Sequence, residues 1–349
     1  MRALGILGTA VSLLALVACS SATSAPVSAG DQAPEAVQEV ATSPFTGLPQ
    51  PTPSPVLIVK LDNTRNAQPH AGLKEADIVY LEEVEYGITR IAAVYSSTVP
   101  ARIGPMRSAR ITDIDLTAQF GSPAFAFSGV QRKMWPAINA STVVDVSPNK
   151  DAANYARDRT RRAPYNLFLD GPAALAFGTG VSLDRDLGWT FAAEAPTGGT
   201  VNTGATMRWS EASAEFTYDP ATGQYRVRMN GVPARAEEDA DGQSASTVII
   251  QNVTQTASAY FDKGGGNTPH AQTIGAGTAT VLRDGRSYQV RWSRPTAADG
   301  TTFTMADGSP MPFKPGQQWV VLLNKQTPAV LLPKPSPAPS AASRAPAVT

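Results

Sequence analysis

The pattern of hydrophobic and polar positions changes once along the chain, near residue 200. From about 55 to 195, short apolar runs alternate with segments of helical spacing. "PVLIVKLDN" and "VYLEEVEYGITRIAAVYSS" predict three strands, of which the last two are separated at Gly87. "RSARITDIDLTAQF" has apolar side chains at helical intervals, and the preceding Pro105 is typical of a first helical turn. Such alternation is typical of an α/β layer structure with a parallel or mixed sheet.

From about residue 205 onward, the pattern is that of hairpins. "TATVLRDGRSYQVRW" alternates on both sides of Asp284-Gly285, a dipeptide favoured in two-residue turns. We therefore predict an α+β fold in two parts. An N-terminal α/β domain with a mixed sheet spans 55–195, and a β-rich, hairpin-built C-terminal domain spans 196–330. "KGGGN", residues 263–267, reads as a loop, because it lacks the strand, the helix and the Lys-Ser/Thr of a phosphate-binding loop.

The two ends of the chain have low-complexity composition. Residues 20–54 are rich in Pro, Ser and Ala and are predicted to form a disordered tether. Residues 331–349 have a similar composition and are predicted to form a disordered tail.

The first nineteen residues have the form of a secretory signal. Arg2 precedes an apolar run that is too short for a comfortable membrane span and ends in "LVAC", which matches a bacterial lipobox. We predict a signal peptide over 1–19, acylation of Cys19, and anchoring at the extracytoplasmic face of the cell membrane. Cys19 is the single cysteine, so no intrachain disulfide forms. The alternative is cleavage after Ala25 or Ala29, which would release a soluble protein.

Composition narrows the chemistry further. A hydrophobic fraction of 42% supports a sizeable core, and a formal net charge of zero argues against a nucleic-acid partner. The chain has two histidines, His70 and His270, and one cysteine, too few for a tetrahedral transition-metal site. We expect no cofactor and no resident metal.

The segment "RIGPMRSAR" concentrates arginines at a predicted helix start. Arg107 and Arg110 are three residues apart and would share a helical face. Cations are unfavourable at a helix N-terminus unless an anion is also present. Backbone N–H groups and guanidinium groups together suit phosphate. We therefore predict an anion site from Arg107 and Arg110, on which Arg102 and Arg90 of the adjoining segments converge.

Two alternatives apply to this site. Glu83 and Glu85 could be the missing anions, which would make the arginines an internal salt-bridge network. Asp62-Asn63 follows the first strand, where ligands of α/β sheets collect, so both residues are assigned to the site. There Asp62 could hold Mg²⁺ against a phosphate, or the pair could simply form a turn. The second basic run, "RDRTRRAPYNLF", is either solvated surface or another wall of the same pocket.

Long stretches of the chain resemble a known family. "VKLDNTRNAQPHAGLKEADIVYLEEVEYGITRIAAVYSS" with "RIGPMRSAR" resembles the N-terminal domain of the YerB-like lipoproteins, and "AGTATVLRDGRSYQVRWSR" with "GSPMPFKPGQQWVV" resembles their C-terminal domain. The resemblance implies an exported two-domain lipoprotein and brings no assigned activity. This chain has His70-Ala71 where the family tends to have Gln-Ser. It has Tyr165 where the family tends to have His.

These observations favour a non-catalytic lipoprotein of the cell envelope. Its partners would be the membrane, through the lipid anchor, and an anionic, phosphate-bearing envelope ligand or a partner protein. One alternative is an enzyme that acts on phosphate-linked envelope precursors, with arginines to stabilise charge and Asp62 to hold Mg²⁺. Another is a scaffold whose C-terminal domain docks other proteins.

Overall fold

The computed structural model describes residues 41–333, so Cys19, the signal peptide and the chain beyond 333 lie outside the described residues. Within that range, β-structure dominates. The helices are α1 (Ile111–Ala118), α2 (Trp135–Ala140) and α3 (Gly171–Phe177), with 3₁₀ turns at Arg65–Ala67, Glu85–Gly87 and Arg132–Met134. The strands are β1 (Leu57–Asp62), β2 (Ile78–Glu83), β3 (Thr89–Tyr95), β4 (Ala124–Ala126), β5 (Val144–Asp145), β6 (Tyr155–Arg157), β7 (Leu167–Leu169), β8 (Thr190–Phe191), β9 (Thr200–Val201), β10 (Gly204–Arg208), β11 (Ser213–Asp219), β12 (Gln224–Met229), β13 (Val232–Pro233), β14 (Ser244–Ala245), β15 (Thr247–Phe261), β16 (Asn267–Gln272), β17 (Gly275–Arg283), β18 (Arg286–Arg294), β19 (Thr302–Thr304), β20 (Pro312–Phe313), β21 (Gln318–Asn324) and β22 (Val330–Leu332).

The main sheet contains 12 strands in the order β19-β18-β17-β15-β21-β2-β3-β1-β4-β5, with β16 paired to β15 and β9 paired to β18. The pairs β1–β4, β4–β5, β15–β21 and β2–β21 are parallel, and the neighbouring pairs are antiparallel. The predicted mixed sheet is therefore present, in a fold that is mostly β with few helices. Because β21 lies between β2 and β15, one sheet carries strands from both predicted domains. The boundary between residues 195 and 196 stays a prediction.

The two faces of the main sheet are covered differently. A 6-stranded sheet of β13-β12-β11-β10-β22, with β14 on β12, packs on one face, where Phe216 meets Trp319 edge-on at 5.6 Å. Helices α1 and α2 pack on the other face through Leu116 and Ile138. The side chains of β1–β3 therefore alternate between two buried environments, which explains why these strands are buried almost throughout.

Both predicted low-complexity segments are ordered where the structure describes them. Phe45, assigned to the tether, is fully buried and lies edge-on to Phe120 with 5.5 Å between ring centres. Strand β22 continues to Leu332, inside the predicted tail, and pairs with Gly204 of β10. The predicted disorder of 41–54 and of 331–333 is wrong. The reason is that one buried aromatic ring or one strand pairing orders a segment of polar average composition.

The predicted helical turn at Pro105 is also wrong, because that segment is extended. Gly104 exchanges two backbone hydrogen bonds with Ala71, at 3.0 and 3.1 Å. The Met106 N–H donates to the Leu167 carbonyl at 2.8 Å. Distant segments of the same chain bond to the backbone groups that a helical turn would otherwise use, so the buried polar groups of this segment are satisfied.

Helix α1 begins at Ile111 instead. The N–H of Arg110, the residue before it, donates to the carboxylate of Asp113 at 2.6 Å. The helix N-terminus therefore has the acidic group that its dipole favours. Arg107 and Arg110 lie in the extended segment before the helix and do not share a helical face.

Candidate functional site

The register of β1–β3 places charged residues in a row. Asp62 of β1 and Glu82 of β2 are both direct neighbours of Arg90 on β3, so the three side chains share a face of the sheet. Lys60 lies two residues before Asp62 and shares the same face. This is the face on which α1 packs, so the charges lie in the interior.

Lys60 is the centre of a buried charge triad. Its ammonium forms salt bridges with Glu82 and, at 2.8 Å, with Asp113 of α1, and all three side chains are at most 1% exposed. One cation thus faces two carboxylates. Burial, and after it the charge of Asp113, raises the pKa of Glu82 to about 7, although Lys60 opposes the shift. The sequence does not predict this triad, since its local sign is only a lysine within a mainly apolar strand.

The arginine segment is fixed against β1 by its backbone. The Arg107 N–H donates to the Lys60 carbonyl at 2.8 Å, and the Arg107 carbonyl accepts from the Ser128 N–H at 2.9 Å. The Ala109 N–H donates to the Gly129 carbonyl at 3.0 Å. Arg107 and its neighbours are therefore held between β1 and the loop that follows β4.

Arg107 forms a salt bridge with Asp62, which is 2% exposed. The other carboxylate oxygen of Asp62 accepts from the Thr64 N–H at 2.7 Å. The guanidinium of Arg107 also lies 5.8 Å from the centre of the Tyr165 ring. Both oxygens of Asp62 are engaged, which leaves the proposed Mg²⁺ ligation by Asp62 without structural support.

Arg110 pairs with Glu85 at two points. Nε lies 2.6 Å from Oε1, Nη2 donates to Oε2 at 2.9 Å, and the Thr268 hydroxyl also donates to this carboxylate. Burial alone would raise the pKa of Glu85, but the hydrogen bond and charge of Arg110 lower it. Glu83 lies on the opposite face of β2 and forms no salt bridge within residues 41–333. Of the two acids considered as internal partners, the structure pairs only Glu85.

Arg90 differs from these two arginines. It is 6% exposed, and its Nη1 donates to the Ser108 carbonyl at 2.9 Å. In the described part of the chain it forms no salt bridge. Burial, followed by the nearby charge of Arg110, lowers the pKa of Arg90 to about 10. Arg90 is therefore still a cation at neutral pH, and it is buried without a carboxylate partner.

Arg90, Arg107 and Arg110 line one cavity of about 390 Å³, which we call the arginine cavity. Lys263 adds a fourth cation, while Glu85 and Asp262 contribute two carboxylates, so the lining has an excess of positive charge. The rest of the lining contains the polar residues Ser108, Gln131 and Thr268. Its mainly apolar members are Ala109, Val130, Met134, Tyr260 and Phe261.

The tip of the β15–β16 hairpin supplies part of this lining, which the sequence does not predict. Residues 263–267 were interpreted as a loop without a role, yet Lys263 and the preceding Asp262 and Phe261 face the cavity. The available signal was an aromatic pair, Tyr260-Phe261, directly before a glycine-rich turn. Nothing in the sequence shows that this turn reaches Tyr86 between β2 and β3, because that contact is long-range.

Arg102 does not join the arginine cavity. It binds Asp158 at 2.7 Å and Glu237 at 2.9 Å, and its guanidinium lies 3.6 Å from the centre of the Phe168 ring. Arg161 of the second basic run binds the same Glu237 at 3.1 Å. We call Arg102, Arg161, Asp158 and Glu237 the surface cluster. Its arginines have carboxylate partners from distant parts of the chain, which explains why the expected convergence does not occur.

Asn63 also faces away from the arginine cavity. Its side-chain amide donates to the Thr89 hydroxyl at 2.8 Å, and it lines a separate cavity of about 410 Å³ together with Trp209. The structure thus brings together Arg90, Arg107 and Arg110. It attaches Asp62 through Arg107, and it places Arg102 and Asn63 elsewhere.

Two family models match this chain, one over an N-terminal part and one over a C-terminal part. Residues 45–180 match the family model "Protein of unknown function (DUF3048) N-terminal domain", and residues 205–320 match the model of the corresponding C-terminal domain. A Bacillus subtilis (strain 168) protein named "Putative lipoprotein YerB" is 23% identical over 303 residues, which cover 83% of this chain and 88% of that protein. The chain belongs to the YerB-like family. The family resemblance found in the sequence is confirmed.

The crystal structure of the YerB protein from Bacillus subtilis has the same fold. It matches with a TM-score of 0.67 at 20% identity, over 83% of this chain and 99% of that chain. In this YerB-like chain the three cavity arginines lie within the N-terminal match, and Phe261 lies within the C-terminal match. Both matched segments therefore contribute to the arginine cavity.

Two further features are absent from the described residues. No helix in residues 41–333 has the length and apolar character needed to cross a membrane. The same residues contain no group of three or more His, Cys, Asp or Glu placed to hold a metal ion.

Proposed function

We propose that this chain is an exported, membrane-anchored envelope lipoprotein that binds an anionic, phosphate-bearing ligand in the arginine cavity without catalysing a reaction. The observation that carries the proposal is Arg90. It is a buried cation that lines a cavity and has no carboxylate partner among residues 41–333. Burying a cation costs on the order of several kcal/mol, and the more distant charges of Glu85 and Asp62 compensate only part of this for Arg90. A bound anion would offset this cost.

The neighbouring groups favour phosphate over a smaller anion. Arg107 and Arg110 are held in place by Asp62 and Glu85, and both also line the cavity. Several guanidinium groups in fixed positions suit the multiple oxygens of a phosphate. Because Asp62 and Glu85 hold the arginines in advance, little side-chain entropy remains to be lost on binding.

The test is binding of inorganic pyrophosphate to the full chain, measured by isothermal titration calorimetry. Replacing Arg90 with Met removes a buried charged donor, which is worth about 1.5–3 kcal/mol. We expect pyrophosphate to bind about 10- to 100-fold more weakly to Arg90→Met. Arg90→Lys keeps the charge but loses the planar fork, so it should recover part of the affinity.

Arg102→Met is the matched control, because Arg102 lies outside the cavity and is neutralised by its own partners. It should bind pyrophosphate like the unmodified chain. Circular dichroism melting of each variant separates a loss of binding from a loss of folding. Failure of the unmodified chain to bind pyrophosphate would refute the proposal, whatever the variants do.

The membrane anchor has separate support. "LVAC" ends the apolar N-terminal run, and a YerB-like relative carries lipoprotein in its name. We expect Cys19→Ala to move the protein from the membrane fraction to the medium in a bacterial host, as read by immunoblot. A Cys19→Ala protein that stays in the membrane fraction would count against acylation.

A further inference from the structure

The arginine cavity has two chemically different walls. Arg90, Arg107 and Arg110 form one, while the other is largely hydrocarbon and includes Phe261, which is 47% exposed. Tyr260 and Val130 lie on the same apolar side and also pack against the core. A ligand that filled this cavity would need a charged end and an apolar end.

The apolar wall is held in position before any ligand arrives. The Tyr86 hydroxyl donates to the carboxylate of Asp262 at 2.8 Å and accepts from the Gly266 N–H at 2.9 Å. The side-chain amide of Gln131 donates to the Phe261 carbonyl. The hairpin tip is thus fastened to the β2–β3 turn and to the segment before α2. Its exposed phenylalanine is kept beside the arginines by polar contacts and not by packing alone.

We propose that the ligand is an amphiphile, a phosphate or pyrophosphate group joined to a hydrocarbon chain, whose first carbons lie against Phe261. This inference rests on the proposed phosphate binding and specifies its ligand class. A cavity of about 390 Å³ holds a headgroup and a few carbons, so the rest of the chain extends out of the opening. Prenyl phosphates and other lipid phosphates share this chemistry.

The experiment compares pyrophosphate with its isopentenyl, geranyl and farnesyl esters. The full chain is placed in phosphatidylcholine nanodiscs, and empty nanodiscs correct for partitioning of the ligand. Each methylene removed from water is worth about fourfold in affinity. We expect geranyl pyrophosphate to bind at least about 30-fold more tightly than pyrophosphate, and farnesyl pyrophosphate to add little, because its last carbons lie outside the cavity.

Phe261→Ser should remove most of the gain from the hydrocarbon chain, which is measured as the ratio of the affinity for geranyl pyrophosphate to the affinity for pyrophosphate. Phe177→Ser is the matched control, because Phe177 is another exposed phenylalanine, at 44%, and does not line the cavity. It should bind all four ligands like the unmodified chain.

The outcomes separate the two proposals. If no ligand binds, phosphate binding itself is refuted. If all four ligands bind equally, phosphate binding stands and the amphiphile is refuted. Uridine diphosphate provides the last arm: if it binds as tightly as geranyl pyrophosphate, the apolar wall accepts a soluble nucleotide and the amphiphile is again overturned.

Discussion

Arg102 and Arg107 belong to one short extended segment, but the clusters around them differ in how their charge is balanced. In the surface cluster, Arg102 is 42% exposed and has two carboxylate partners. At the arginine cavity, Arg107 and Arg110 have one carboxylate partner each and Arg90 has none. Solvent and salt screen the pairs of Arg102, whereas Arg110 and Glu85 are 12% and 3% exposed, so their charges interact more strongly.

The difference in carboxylate partners identifies which of the two clusters is the better candidate for an anion site. A count of arginines gives both clusters equal weight, since the segment "RIGPMRSAR" contributes to each. What distinguishes them is the number of carboxylates within reach of each guanidinium. Arg90 is not part of the conspicuous segment, yet among the arginines of the two clusters it is the one that forms no salt bridge.

The largest expected effect is on the pH dependence of the free energy of unfolding, and it concerns Glu82. The raised pKa of Glu82 means that the folded state holds its proton more tightly than the unfolded chain does. Its contribution to stability is full below pH 4.5 and is lost as the pH rises through about 7. The size of this loss is on the order of 3 kcal/mol. In urea unfolding between pH 4 and 8, Glu82→Gln should show a correspondingly smaller decline.

Asp158 of the surface cluster is the control for this prediction. Hydrogen bonds from Thr160, followed by Arg102, lower the pKa of Asp158 to about 2. Its contribution to stability is present above the unfolded pKa of 3.8 and is lost only as the pH falls towards 2. Asp158→Asn should therefore keep the decline between pH 4 and 8. Parallel curves for Glu82→Gln and the unmodified chain would contradict the assignment.

The second comparison removes one arginine from each cluster. Glu85 is 3% exposed, and Arg110→Ala removes its counter-ion. We expect a loss of about 2 kcal/mol in the free energy of unfolding. Arg102→Ala breaks pairs that are open to solvent, so the loss should stay under about 1 kcal/mol.

Urea titrations at low and high salt would sharpen this contrast. Added NaCl should remove the remaining effect of Arg102→Ala and leave most of the effect of Arg110→Ala, because salt screens exposed pairs more than buried ones. Equal losses in both variants would mean that the two clusters are not energetically different.

Local sequence patterns carried much of the strand assignment. The break at Gly87 separates β2 from β3, and Asp284-Gly285 forms the turn between β17 and β18, with positive φ at both residues. The local sequence around Pro105 favours a helical start, but the segment is extended. The neighbours of Pro105 form backbone hydrogen bonds with Ala71 and Leu167 instead. Those partners are set by tertiary structure and leave no local trace.

The residues of the candidate site also fall into those that local sequence identifies and those that it does not. Arg107 and Arg110 could be singled out because they crowd one segment, and Glu85 could be named because it lies close in sequence to strand β2. Lys60 and Phe261 could not, since the importance of Lys60 depends on Asp113 of a helix and that of Phe261 depends on a distant hairpin tip. Long-range packing brings Lys60 to the buried triad and Phe261 to the cavity.

The position of β21 in the main sheet means that the sheet can form fully only late in synthesis. Ile78 of β2 pairs with Gln318 of β21, so a strand from the first third of the chain has to wait for nearly the last strand to be synthesised. Until then β2 has one open edge, which is the kind of surface that pairs with other chains. Contacts between residues so far apart in sequence also slow folding. The growing chain therefore passes through a prolonged stage in which the open edge of β2 can pair with another copy of the chain. During that stage β2 needs protection from such pairing.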